Sequence, residues 1–116
     1  MHTPASIEME LRKLARSPKV EFRIADLTGH GATAMLFWKG EGVENDTVVL
    51  DPYLGGLIEG AIHELLHIHQ KRATSALGRE LEEALIEGFE DRIVRYVNRS
   101  NRRIKWWRNA ISKRLP

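Results

Sequence analysis

The chain contains no cysteine. That excludes disulfides and thiolate metal sites, so any metal bound here takes its ligands from His, Glu or Asp. It also fits a reducing compartment, and a cytoplasmic location is the expectation. Long apolar runs are missing as well. No stretch approaches the ~18 residues that a membrane span needs, so no membrane partner is expected. The opening residues MHTPASIEMELRKLARS carry Glu8 and Glu10 and no apolar core, which is unlike a secretory signal. Acidic residues stop at Asp91. Residues 92–116 hold nine basic and no acidic side chains, whereas residues 1–91 hold nine basic and sixteen acidic ones, a net of −7. A basic end on an acidic body implies docking within the molecule or an acidic partner such as nucleic acid.

What is present describes an ordinary globular chain. At 116 residues, 42% hydrophobic and 29% charged, it suits one domain with a single modest core. Residues 4–16 predict an amphipathic helix, with Pro4 in its first turn, Ile7, Leu11 and Leu14 on one face, and Ser17-Pro18 stopping it. Val20, Phe22 and Ile24 alternate with Glu21 and Arg23, the period of a half-buried strand over 19–27. TGHG (28–31) reads as a turn and ATAMLFW (32–38) as a second strand, so 19–38 is expected to form a hairpin. A polar loop follows at 39–46, then a more buried third strand, TVVLDP (47–52).

Residues 57–70 predict a helix apolar almost all round, and such a helix is buried on most sides. After a connection at 71–78, residues 79–100 form the next helix, with Leu81, Leu85, Ile86, Phe89, Ile93, Tyr96 and Val97 on one broad face. Residues 101–115 continue it or restart it. The expected fold class is α+β: an N-terminal helix, a three-stranded sheet, and two or three helices.

The apolar helix is interrupted by His63, Glu64 and His67. A four-residue spacing stacks His63 and His67 one turn apart, about 5–6 Å between Cβ atoms, close enough for both imidazoles to reach one zinc ion. Glu64 lies about 100° round the helix. From there it can act on a water rather than on the ion, the division of roles in H-E-x-x-H. A shuffled chain of this composition contains that pattern with a probability of roughly 2%, so its setting must add to it. The setting does: polar groups buried in an apolar helix need partners, and an ion satisfies both histidines at once. The plainer reading is two histidines hydrogen-bonded at a core edge. A third ligand must come from elsewhere, since His69 is turned about 200° away from His67. Glu82 falls near the centre of the apolar face of the following helix, Glu83 at its edge and Glu87 further out. These remain the candidates.

HELLH, preceded by a strand ending LDP and followed by EEALIEGFEDRIV, resembles the small zincin-like metallopeptidases of gluzincin type, particularly the short forms of phages and bacteria. The resemblance covers about residues 47–97. It implies a minimal zincin-like domain spanning 1–116, a Zn2+ ion held by His63, His67 and Glu83, and Glu64 as the general base of peptide-bond hydrolysis. Glu87 with Asp91 also matches a spacing found in thermolysin-like members. A protein or peptide substrate is then expected along an exposed strand edge, for which ATAMLFW is the candidate. His30, His69 and Tyr96 are available to stabilise an oxyanion.

Two other functions stand beside this one. A zincin-like module can retain metal and serve only in protein–protein contact. Alternatively the basic tail (99–116), with Trp106 and Trp107 among its Lys and Arg residues, binds nucleic acid through phosphate contacts and indole stacking. Against the latter, Ile104, Trp107 and Ile111 share one helical face that can pack on the core and leave the cations as a solvated surface.

Overall fold

A computed structural model describes residues 3–115. Eight elements follow in order: α1 (Pro4–Arg16), β1 (Val20–Ile24), β2 (Ala34–Phe37), β3 (Asp46–Leu50), α2 (Leu57–His69), α3 (Lys71–Thr74), α4 (Arg79–Asn98) and α5 (Asn101–Arg114). The class is α+β. Among the described residues no helix is long and apolar enough to cross a membrane.

α1 begins where its sequence supplies a cap. The Thr3 side chain accepts from the Ser6 backbone N–H, and Ser6 Oγ accepts from that of Thr3, satisfying donors a helix start leaves orphaned. Ile7, Leu11 and Ala15 are buried beneath it.

The hairpin expected over 19–38 does not form. The sheet order is β1-β3-β2, with β1 parallel and β2 antiparallel to β3. β3 takes the centre because its residues Thr47, Val48, Val49 and Leu50 are all buried, and an uninterrupted buried run suits a strand with neighbours on both sides. The connection 25–33 carries the chain over the end of β3. Ala25 N–H donates to Leu50 C=O, Leu27 N–H donates to the Asp51 carboxylate at 2.9 Å, and Asp51 N–H donates to Thr33 C=O. Asp51 thus ties both ends of this crossing and sets β2 down on the far side. β2 is left at the sheet edge.

α2 packs on the sheet and is enclosed by α1, α4 and α5. One core joins Ile7 and Leu11 of α1, Val48 and Leu50 of β3, Ile62, Leu65 and Leu66 of α2, Ile86 and Ile93 of α4, and Trp107 and Ile111 of α5. The basic C-terminal segment therefore restarts as a docked helix rather than prolonging α4. Ser100 is extended, and its hydroxyl accepts from Arg103 N–H to cap α5. Gly60 lets α2 approach the strands closely, since a Cβ there would stand 3.1 Å from Leu50 Cδ2 and 3.2 Å from Ala34 Cβ. That approach brings the following turn of α2 against edge strand β2.

Candidate metal centre

His63 and His67 project from that turn with ring centroids 5.1 Å apart. α4 runs alongside and presents carboxylates to both rings. His67 Nε2 lies 2.9 Å from Glu83 Oε1 and His63 Nε2 lies 3.4 Å from Glu83 Oε2. The other nitrogens meet different partners: His67 Nδ1 is 2.9 Å from Glu82 Oε1, and His63 Nδ1 is 3.2 Å from Glu90 Oε2. A carboxylate only accepts, so where Nδ1–H donates, the Nε2 of a neutral imidazole turns a lone pair toward Glu83. Lone pairs facing a carboxylate across 2.9–3.4 Å repel unless a proton or a cation lies among them.

Ligand atoms of His63, His67 and Glu83 all fall within 4.8 Å of one another, a spacing able to hold a metal ion. The donor set fits Zn2+: two imidazole nitrogens and one carboxylate oxygen, with each imidazole held from behind by a second carboxylate. Charge points the same way. Glu64, Glu82, Glu83 and Glu90 surround only two histidines, so even double protonation leaves an excess of negative charge that a divalent ion offsets.

Glu64 is 6% exposed, and among the described residues no hydrogen bond reaches its carboxylate. Burial pushes its pKa above the ordinary carboxylate value, only partly opposed by His63 and His67 and aided by Glu83 and Glu90. The His63 pKa is also raised, chiefly by its hydrogen bond to Glu90; burial opposes this, while Glu64, Glu90 and Glu83 add to it. Two clefts meet here. The larger, about 700 Å³, runs past Gly60, His63, Glu64, Glu87 and Glu90, and the second past His30, Trp38, His67, Arg79 and Glu83. Ala34 of β2 borders both.

Of the third-ligand candidates, Glu83 faces the two Nε2 atoms. Glu82 stands behind His67, and Glu87 is exposed on the wall of the larger cleft. Leu81 and Leu85, expected on the inner face of α4, are 60% and 44% exposed, because the face turned to α2 runs through Glu83, Ile86, Glu90, Ile93 and Val97. Glu90 was not singled out from the sequence. Its signal was the seven-residue spacing from Glu83, which returns to the same side of a helix. His69 is turned away, bonded to Glu10 of α1 at 2.8 Å, and Tyr96 lies beneath the Arg103 guanidinium. Of the three oxyanion candidates, His30 borders the cleft that contains His63 and His67. No protein-family model, curated protein or solved structure matches the chain.

Proposed function

We propose that this chain is a zinc-dependent metallopeptidase of zincin type, with Zn2+ held by Nε2 of His63, Nε2 of His67 and the Glu83 carboxylate. The observation carrying this reading is the convergence of two imidazole Nε2 atoms on one carboxylate, each ring meeting a second carboxylate through its Nδ1. The ion, when bound, supplies a Lewis acid that polarises a carbonyl and acidifies water. Glu64, buried at the junction of the clefts, is the general base: it takes a proton from the attacking water and returns it to the departing amine. Glu82 and Glu90 orient the rings. An extended peptide is the substrate that fits, because β2 presents an unpaired backbone edge beside Glu64 for main-chain pairing.

Protein purified without a histidine tag is expected to contain about one zinc per chain. Glu64→Gln retains that zinc and loses cleavage of a peptide library. Absence of zinc, or cleavage undiminished in Glu64→Gln, would falsify the proposal. Zinc retained with no cleavage by the wild-type chain would favour the interaction module instead.

A further inference from the structure

The basic helix α5 has a face that the peptidase reading leaves unused. Its apolar side is spent inside the molecule: Trp107 is fully buried and donates its indole N–H to Glu8 at 2.9 Å, and Ile111 is buried beside it. The outer side carries Arg102, Lys105, Arg108 and Lys113, all exposed, with Asn109 between them. Among the described residues no carboxylate forms a salt bridge with any of these four cations. Arg92 and Arg95 of α4 and Arg99 just after it are exposed too, and among the described residues only Arg95 of these three has a carboxylate partner, Asp91 at 3.4 Å.

We propose that the outer face of α5 binds duplex DNA through its phosphates. Four unpaired cations on a rigid 14-residue helix, roughly 21 Å long, complement a line of backbone charge. The acidic remainder of the chain repels the same polyanion, which orients it toward α5. Three observations select the occupant. An anionic bilayer calls for exposed apolar side chains beside the cations, but those of α5 are packed in the core. Single strands call for exposed aromatic rings; Trp107 is buried, and Trp106 is overlaid by the guanidiniums of Arg12 and Arg16 at 4.4 and 4.8 Å from its ring. The wide major groove of B-form DNA accepts a helix between its phosphates, whereas the narrow, deep groove of duplex RNA does not. α5 contributes no residue to the clefts at His63, so a bound duplex leaves that site open.

The test is fluorescence anisotropy of a labelled DNA duplex with the full-length chain, titrated from 50 to 200 mM salt. Truncation is unsuitable because Trp107 belongs to the core; the variant is Arg102→Gln/Lys105→Gln/Arg108→Gln/Lys113→Gln, with its thermal melt as control. Wild-type affinity is expected to fall about a hundredfold over that range. The variant, with an unchanged melt, is expected to bind at least tenfold more weakly at 50 mM salt, with a salt slope lower by about three to four. Equal affinity of wild type and variant overturns the proposal. So does binding of duplex RNA, single-stranded DNA or phosphatidylserine vesicles as tight as that of duplex DNA. Glu64→Gln is expected to bind DNA as wild type does, which separates this outcome from any failure of the peptidase reading.

Discussion

Nδ1 of His67 lies 2.9 Å from Oε1 of Glu82, and that contact turns the opposite ring nitrogen toward Glu83. Glu82 would therefore act through His67 on the ion proposed for this site. Glu82→Ala removes the acceptor that fixes the imidazole tautomer and orientation, with an expected loss of 10- to 100-fold in zinc affinity. Glu82→Gln keeps an acceptor without the charge and should lose less. Competition with a chromophoric chelator measures both. Identical affinities for Glu82→Ala and wild type would show that His67 is oriented without Glu82.

Glu83 and Glu87 separate the two ligand registers that the acidic run on α4 permits. Glu83 bridges both Nε2 atoms, and Glu87 is an exposed wall residue. Glu83→Ala is expected to abolish stoichiometric zinc retention after gel filtration, whereas Glu87→Ala retains it. The reverse result would move the ligand set one turn along α4.

Much of this was legible from periodicity alone. Pro4 and Ser17-Pro18 bracket α1, and the largely apolar run at 57–70 marks α2 as the enclosed helix. Histidines four apart on a helix must share a face, so their pairing needed no tertiary knowledge. Strand order was another matter. TGHG reads locally as a turn, but the crossing is organised by Asp51, twenty-four positions away from the Leu27 N–H it accepts. Long-range hydrogen bonds of that kind leave no periodic trace. The rotation of α4 was hidden for a related reason. Its hydrophobic residues occupy too wide an arc to define one inner face, and Leu81 and Leu85 lost the inside to Glu83 and Glu90, which answer to the histidines.

Metal uptake should depend on pH through His63. Its pKa stands above the ordinary 6.5, mainly through Glu90, so its proton competes with the ion at higher pH than for a free imidazole. In the metal-free chain the linkage has the opposite sense. A raised folded-state pKa contributes stability that is complete below the unfolded value and is lost as pH rises through the folded one. The raised pKa of Glu64 acts in the same direction. Zinc should therefore increase the melting temperature more at pH 8 than at pH 6. Equal increments in differential scanning fluorimetry at the two values would refute the coupling.

Close packing of α2 on the sheet depends on Gly60. A valine there meets Leu50 Cδ2 and Ala34 Cβ, and the overpacking is expected to cost about 1–3 kcal/mol. Because the same helix carries His63 and Glu64, the proposed peptidase activity should fall by more than the unfolded fraction accounts for. Urea denaturation and activity on one preparation test this, and a variant as stable as wild type would count against it.

Glu8 is 1% exposed between α1 and α5, where its Oε2 accepts from Arg12 Nε at 2.8 Å and from Trp107 Nε1 at 2.9 Å. The carboxylate links the N-terminal helix to the C-terminal one across ninety-nine positions of sequence. Glu8→Ala leaves an indole N–H and a guanidinium without their acceptor and opens a gap in a packed interface. The expected cost is about 2–3 kcal/mol. Glu8→Gln retains an oxygen for the indole and loses the ion pair, so its cost should be smaller, about 1–2 kcal/mol. Both changes lie away from His63 and His67, so zinc stoichiometry in the folded fraction should match wild type. Chemical denaturation followed by Trp fluorescence reports the two costs in order. If Glu8→Ala proved as stable as wild type, α5 would be held by Trp107 and Ile111 burial alone.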